Sequence, residues 1–393
     1  MNSFTYYTPT KVVFGVDTEK KVGGLVAESG SRRVLVLYGG GSAVKSGLIN
    51  KVEDSLKEAG IFFISKGGVK PNPLLSYVNE IVQIAQINEI DFVLAVGGGS
   101  TIDTAKAAAM GIANPEENIW DFFTKKVVLT KSIGVGVVLT IAASGSEMSD
   151  SCVITKDENY IKIGLSSDLN RPYFAVMNPE NTYSLPKYQI SCGVVDIMMH
   201  TLERYFGLNT RNEITNQIAE AVLKVTIKNG RIAFENSHNY DAMSEIMWCG
   251  SLSHNGLTGL GAIGDFATHR LGHELSAQYD VAHGASVTAI WGSWARYVFE
   301  ENPSRFARYA KIIWGIEENN INKTGIMGIE ETEKYFRSLG MPTSLKGLNI
   351  GELKDENLHF LARKCSAENK KTIGSFRILN EVDMFNIYQM ANI

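Results

Sequence analysis

Five residues in the second half of the chain have the types and the spacing of a metal site. Asp196 and His200 are four residues apart, as are His269 and His273, and His283 follows ten residues later. Residues four apart stack on one face of an α-helix, so each pair can aim two side chains at one point. One carboxylate and several imidazoles suit a divalent metal ion. The spacing therefore predicts a metal centre built from two helices, with His283 in the turn beyond the second.

The same residues also have a structural interpretation, as a helix-face carboxylate and hydrogen-bonded core imidazoles. The segment HRLGH has no glutamate after its first histidine, so it is not the HExxH motif of metalloproteases. The residues around the histidines are apolar or small: Phe266, Ala267, Leu271, Gly272, Ala282 and Gly284. This setting favours the metal, because buried charged groups need a compensating partner.

Three other histidines have no partner at ligand spacing, and we interpret them as structural or surface residues: His238, His254 and His359.

Two glycine-rich loops in the first half have the pattern of phosphate-binding loops. GGGS at Gly39–Ser42 follows the apolar run VLVLY, GGGS at Gly97–Ser100 follows DFVLAV, and a helical pattern comes after each. Glycines let a phosphate approach backbone amides, and the N-terminus of the next helix favours an anion. The structural alternative is a tight strand-to-helix turn. Because the loop occurs twice where α/β sheets bind ligands, the pattern favours phosphate binding.

Neither loop matches a standard nucleotide motif. The first carries Lys45-Ser46, but Val44 stands where a Walker A motif needs its second glycine, and the second reads GGGSTID rather than GxGxxG. A nucleotide-binding phosphotransferase that uses the first loop stays an alternative. A non-catalytic metal-binding protein is another, although it gives no reason for two glycine loops.

Hydrophobic periodicity predicts two domains. From Val34 onward, buried strands alternate with helices, which is typical of an α/β domain with a mainly parallel, Rossmann-like sheet. One amphipathic helix is predicted from Val44 to Gly60, and a hairpin is predicted with its turn near Asp157–Asn159. Beyond Leu185 the strand patterns fade and helical patterns follow. We therefore predict a nucleotide-binding domain over residues 1–187 and an all-helical, metal-binding catalytic domain over residues 188–393.

Composition narrows the class of protein. The chain has 393 residues, 44% of them hydrophobic, and a net charge of −4 with acids and bases interspersed, which predicts no nucleic-acid and no membrane partner. No apolar run approaches the roughly 20 residues that span a bilayer, and the N-terminus lacks the pattern of a signal peptide. The cysteines form no CxxC pair, and we interpret them as reduced thiols of a cytoplasmic protein.

Motifs spread over nearly the whole chain resemble those of one family. They are PTKVVFG, YGGGS, GGGSTIDTAK, TIAASGSEM, CGVVD with His200 after it, THRLGHEL and AHG. Asp-x3-His followed by His-x3-His-x9-His is that family's signature at its own spacing. The chain thus resembles the iron-containing (group III) alcohol dehydrogenases, and within them the NADPH-dependent butanol dehydrogenase and aldehyde reductase branch. The resemblance implies a dehydroquinate synthase-like architecture, with an α/β nucleotide-binding domain before an all-helical one.

The resemblance also implies functions for individual residues. The metal ligands correspond to Asp196, His200, His269 and His283. His273 matches a position near the nicotinamide and the substrate, and is the expected catalytic residue. The cofactor contacts correspond to Gly97, Gly98, Gly99, Ser100, Asp103, Thr140, Ser144, Ser146 and Lys162, and in the first loop to Gly39, Gly40, Gly41 and Ser42.

The resemblance further implies a cofactor and a reaction. NAD-preferring relatives often carry an aspartate in the first loop, where this chain has Gly40 with Lys45 nearby, so NADP(H) is favoured over NAD(H). Three imidazoles and a carboxylate can bind Fe²⁺ or Zn²⁺. The expected reaction is hydride transfer between NADP(H) and a small primary alcohol or aldehyde, such as butanol or butanal. His273 would relay the proton.

Other activities on the same architecture stay open at this point. They are a glycerol-dehydrogenase-like polyol oxidation and a dehydroquinate-synthase-like reaction. The spacing of the aspartate and histidines and the GHEL context favour the alcohol dehydrogenase branch. The resemblance also implies a homodimer, paired through the segment TYYTPTKVVFG.

Overall fold

Two compact units make up the chain in the computed structural model, which describes residues 2–158, 160–208 and 211–393. The α/β unit comprises residues 7–186 and 236–255. The helical unit comprises the described residues of the ranges 2–6, 187–235 and 256–393. The predicted domain boundary at residues 187 and 188 stays a prediction, and the α/β unit takes in residues 236–255, a segment that lies within the helical half of the sequence.

A six-stranded parallel sheet forms the centre of the α/β unit. Its strands are β1 Lys11–Phe14, β2 Arg33–Tyr38, β3 Phe62–Lys66, β4 Phe92–Gly97, β5 Gly134–Leu139 and β8 Phe174–Met177. A separate hairpin consists of β6 Ser151–Lys156 and β7 Ile161–Ser166. The sheet order is β1-β8-β5-β4-β2-β3, and every pair in it is parallel. All six residues of β4 are buried, as is usual for a central strand of such a sheet. The predicted α/β fold is confirmed.

The order in which the chain adds strands to the sheet reverses between β2 and β4. β2 pairs with β3 on one side and with β4 on the other, so the chain crosses over after β3 and continues on the opposite side. Tyr38 at the end of β2 is in register with Val96 near the end of β4. The two glycine loops therefore emerge side by side, at the position where open α/β sheets bind ligands.

The helices of the α/β unit are α1 Val22–Glu28, α2 Ser42–Lys45, α3 Leu48–Glu58, α4 Leu75–Ile87, α5 Gly99–Ala113, α6 Ile119–Phe123 and, from its second segment, α9 Tyr240–His254. The prediction of a single helix between Val44 and Gly60 was wrong in one respect. It is split into α2 and α3 at Gly47, whose φ of 75° is a left-handed conformation that interrupts a right-handed helix. β1 and α1 were not predicted.

The predicted hairpin is confirmed. β6 and β7 pair in antiparallel register as a separate two-stranded sheet. Of the turn that was predicted near Asp157–Asn159, Asn159 lies outside the described residues.

In the described residues of the helical unit, the regular secondary structure is helical. They are α7 Lys187–Tyr205, α8 Glu213–Glu235, α10 Ala267–Tyr279, α11 His283–Val298, α12 Pro303–Trp314, α13 Ile321–Ser338, α14 Asp355–Cys365 and α15 Glu381–Ala391. As predicted, α7 carries Asp196 and His200, and α10 carries His269 and His273. His283 is the first residue of α11 rather than part of a turn. No helix in the described part of the chain is both long and apolar enough to cross a membrane.

Candidate metal centre and nucleotide-binding loops

The four predicted ligands lie together in the helical unit. Asp196 Oδ1 is 3.3 Å from His200 Nδ1 and 3.7 Å from His269 Nε2. It is also 3.5 Å from His283 Nε2. Ligand atoms of Asp196, His200 and His269 all lie within 4.8 Å of one another. The fold thus brings together side chains from α7, α10 and α11.

Two atoms at the centre of this cluster have no hydrogen-bond partner among the described residues. They are Asp196 Oδ1 and His269 Nε2, and both residues are buried. Leaving a buried polar atom unpaired costs about 1–3 kcal/mol. A divalent cation bound to both atoms would remove that cost. The cluster therefore fits a metal ion by residue type and by unmet bonding capacity.

The electrostatics of the cluster also favour a cation. Burial disfavours the ionised Asp196 carboxyl, but the neighbouring His200 and His283 imidazoles hold its pKa well below the usual range. Burial lowers the pKa of His200. Burial also opposes the charged form of His269, yet the Glu203 and Asp196 carboxylates raise its pKa to about 9. Two carboxylates thus stabilise positive charge at His269, and a metal ion can supply that charge in place of a proton.

Two glycines allow the helices that carry the predicted ligands to approach closely. Gly284 follows His283, and a Cβ at this position would lie 2.6 Å from the carbonyl oxygen of Cys192 in α7. Gly272 in α10 faces α11, and a Cβ there would lie 3.0 Å from Val287 Cγ1. A larger side chain at residue 284 would push α11 away from α7. Sequence spacing alone does not reveal this requirement.

A residue in the left-handed backbone conformation stands at each end of α10. Phe266 has φ 58° and Asp280 has φ 51°, a conformation that costs a residue with a Cβ about 1–2 kcal/mol. The guanidinium of Arg204 lies 4.9 Å above the Phe266 ring. Such strain persists where surrounding contacts fix the backbone, and it clusters at functional sites. Phe266 and Asp280 thus mark the two ends of the helix that carries His269.

Glu203 lies beside His269 but was not predicted as a site residue. Its side chain is 1% exposed, and Oε2 accepts a hydrogen bond from His269 Nδ1 at 2.9 Å. Oε1 accepts the main-chain N–H of His269 at 3.0 Å. Glu203 follows His200 by three residues and lies about one turn further along the same face of α7. That spacing is the signal in the sequence, but only the fold pairs this glutamate with a histidine 66 residues away.

His273 lies next to the cluster and is half-buried. Its ring centroid is 5.2 Å from that of His283 and 6.3 Å from that of His269. His273 therefore lies beside the cluster, and its ring is not among the groups gathered around Asp196 Oδ1.

The other three histidines have different surroundings. His238 stacks on Tyr183, with ring centroids 4.7 Å apart, and His359 stacks on Phe385 at 3.9 Å. His254 ends α9 and lies against Gly145, where a Cβ on the glycine would be 2.8 Å from the histidine Cβ.

The second glycine loop has no room for side chains. A Cβ on any of its three glycines would collide with a neighbour: Gly97 with Thr101, Gly98 with Ile141, and Gly99 with Ser144. Thr140 donates its main-chain N–H to the Gly97 carbonyl oxygen at 3.1 Å, which holds this segment against the loop. The N-cap residue of α5 is Gly98, which has no side chain to cap the helix. Its first amides are therefore available to a phosphate.

The first glycine loop has open space. No atom of the described residues lies within 4 Å of the position that a Cβ on Gly40 would take. A bond from Gly68 N–H to the Gly39 carbonyl oxygen, at 3.1 Å, ties the loop to the segment after β3. Lys45 folds back towards the loop, with Cε 3.6 Å from where a Cβ on Gly41 would be. This loop can accept a bulky anionic group beside a basic side chain.

Asp103 and Ser146, both predicted cofactor contacts, form a hydrogen bond with each other within the α/β unit. Ser146 Oγ donates to Asp103 Oδ1 at 2.7 Å, and Val153 N–H donates to Asp103 Oδ2 at 3.0 Å. The buried Lys106, which was not predicted, donates to the Ser146 carbonyl oxygen at 2.7 Å and to its hydroxyl at 2.9 Å. Burial raises the pKa of Asp103 and lowers that of Lys106. These bonds fix the segment beside the second glycine loop, and the cofactor contacts stay predictions.

Lys162 connects the hairpin to the loop after β3. Its Nζ donates to Asn72 Oδ1 at 2.9 Å. Asn72 belongs to the segment GGVKPNP, and a cavity of about 250 Å³ lies next to this segment, lined in part by Val69, Lys70 and Tyr77. None of the sequence motifs includes this loop.

Comparison with known proteins identifies relatives over the full chain. The family model "Iron-containing alcohol dehydrogenase" matches residues 9–179, and "Fe-containing alcohol dehydrogenase family, C-terminal" matches residues 190–392. NADH-dependent butanol dehydrogenase A of Clostridium acetobutylicum is 37% identical, over 100% of both chains. NADPH-dependent aldehyde reductase YqhD of Escherichia coli is 35% identical, over 89% of this chain and 90% of that protein. The crystal structure of NADH-dependent butanol dehydrogenase A from Thermotoga maritima has a TM-score of 0.96 at 37% identity, covering 100% of this chain and 99% of that chain.

The chain therefore belongs to the iron-containing alcohol dehydrogenase family. Within that family it lies in the butanol dehydrogenase and aldehyde reductase branch, and it is an oxidoreductase of the class that acts on CH–OH groups. The resemblance seen in its motifs is confirmed. Membership in the family implies a nicotinamide cofactor and a divalent metal ion.

Proposed function

We propose that this protein is a metal-dependent aldehyde reductase and alcohol dehydrogenase that uses NADP(H) and small primary aldehydes or alcohols, such as butanal and butanol. The observation that carries the proposal is the buried cluster around Asp196, with its two unpaired polar atoms. The relatives named butanol dehydrogenase and aldehyde reductase support this substrate class.

Asp196, His200, His269 and His283 would hold one Fe²⁺ or Zn²⁺ ion. A divalent ion in such a site acts as a Lewis acid on an alcohol or carbonyl oxygen. The protein contributes a closely packed donor set, because Gly272 and Gly284 leave room for the three helices to approach one another. Burial of Asp196, His200 and His269 keeps water from competing for these donors.

His273 would move the proton between the substrate oxygen and solvent. Its ring is half-buried and adjacent to His283, so it can reach both the interior of the site and water. Imidazole is the side chain most often used for general acid–base catalysis.

The two glycine loops would bind the nucleotide. Gly97–Ser100 at the N-terminus of α5 would hold the pyrophosphate, where close backbone approach is possible. The first loop would accept the 2′-phosphate of NADP(H), because Gly40 leaves open space without an acid and Lys45 supplies positive charge. Among the relatives, both cofactors occur by name: NADH for the butanol dehydrogenases and NADPH for YqhD.

Steady-state kinetics with paired cofactors and substrates test this proposal. We expect butanal reduction with NADPH to have a higher kcat/KM than reduction with NADH, and a higher value than glycerol oxidation with either oxidised cofactor. Faster glycerol oxidation would favour the polyol alternative. Tight ATP binding without turnover of butanal would favour a phosphotransferase instead.

The homodimer stays a prediction. β1 is an edge strand of the sheet, and the side chain of Phe14 at its end is exposed, which agrees with pairing through TYYTPTKVVFG.

A further inference from the structure

We propose that Glu203 is a positioning residue that fixes the tautomer and the orientation of the His269 imidazole for metal binding. The inference rests on the metal-dependent function proposed above. Glu203 lies in α7, is 1% exposed, and uses both carboxylate oxygens to bond His269 in α10. The metal would be held by Asp196, His200, His269 and His283, and Glu203 would act through one of them.

The bond to the ring determines which nitrogen carries the proton. An ionised carboxylate can only accept hydrogen bonds, so His269 Nδ1 must donate to Glu203 Oε2 across their 2.9 Å contact. The neutral ring then has its lone pair on Nε2, which lies 3.7 Å from Asp196 Oδ1. A metal needs that lone pair. Glu203 therefore selects the tautomer that can bind one.

The second bond fixes the backbone that carries the ring. Glu203 Oε1 accepts the main-chain N–H of His269 at 3.0 Å. This N–H is in the first turn of α10 and has no partner within the helix, and no side chain at the N-cap position bonds there. The main-chain N–H of Asp265 also donates to the Glu203 carbonyl oxygen at 2.7 Å. Residue 203 thus holds the start of α10 and the ring together.

A buried carboxylate can also have a purely structural function, and Glu220 is an example in the same unit. It is 4% exposed, accepts the Tyr205 hydroxyl at 2.8 Å and pairs with Arg308 at 2.7 Å. Glu220→Gln therefore removes a buried carboxylate of similar setting whose partners are not metal ligands. It is the matched control for Glu203→Gln.

Titration of the metal-free proteins with Co²⁺, followed by visible absorption, tests the inference without any turnover. We expect Glu203→Gln to bind Co²⁺ about 10- to 100-fold more weakly than wild type, the usual cost of losing a carboxylate that orients a ligand histidine. Glu220→Gln should stay within about twofold of wild type, as independent sites do. Equal affinities of Glu203→Gln and wild type would overturn the inference. A wild-type protein that binds no Co²⁺ would overturn both this inference and the proposed metal site.

Nuclear magnetic resonance of the wild-type protein gives a test that does not depend on the folding of a variant. With ¹⁵N-labelled histidine and bound Zn²⁺, the His269 ring should carry its proton on Nδ1 and none on Nε2. A ring protonated on Nε2 would contradict the assigned tautomer.

Discussion

Replacing His283 or His269 with alanine should remove the bound metal and lower turnover by more than about 1,000-fold, because a metal ion contributes several kcal/mol of transition-state stabilisation. Each change deletes a nitrogen within 3.7 Å of Asp196 Oδ1. NADPH binding should persist, since the glycine loops belong to the α/β unit. Elemental analysis, kinetics and NADPH fluorescence measure the three effects separately.

Two further variants distinguish the predicted ligands from the other histidines. His359→Ala removes an exposed ring of the same unit that stacks on Phe385, and it should keep both metal and turnover. His273→Ala should keep the metal but lose rate, because it would move the proton. Full metal content in both His269→Ala and His283→Ala would show that the ligand assignment is wrong.

Replacing Gly40 with aspartate should shift the cofactor preference from NADPH towards NADH by about 10- to 100-fold in the ratio of kcat/KM values. The new carboxylate would repel a 2′-phosphate by about 1 kcal/mol per charge near the surface, and it could accept a hydrogen bond from the ribose 2′-hydroxyl. The substitution should not disturb the fold, because the part of the chain that the structure describes has no atom within 4 Å of the Cβ position.

The matched control is Gly24→Asp, which adds the same charge at another exposed glycine of the α/β unit with equally open space. It should leave the cofactor ratio unchanged. If the ratio were the same in Gly40→Asp and wild type, the 2′-phosphate would have to bind elsewhere.

Local spacing predicted a large part of this structure from the sequence. The four-residue spacing of Asp196 and His200, and of His269 and His273, correctly placed both pairs on helices. Apolar runs before glycine loops correctly predicted the parallel sheet. These patterns are readable because one helix or one strand and loop contains all the residues involved.

Features that depend on packing between distant segments could not be read in this way. Glu203 pairs with a histidine 66 residues away, and Gly284 is required by a backbone in α7. Lys106 was not predicted because its partner Ser146 lies 40 residues further along. Apolar periodicity predicted one continuous helix where Gly47 separates two, because periodicity carries no information about a positive φ.

Removal and return of the metal tests the central claim most directly. NADPH oxidation by butanal would be followed in wild-type protein, in protein stripped by a chelator, and after Fe²⁺ or Zn²⁺ is added back. We predict that stripping abolishes oxidation, that one equivalent of metal restores it, and that NADPH still binds throughout. An unchanged rate in protein shown by elemental analysis to be free of metal would contradict the proposed function.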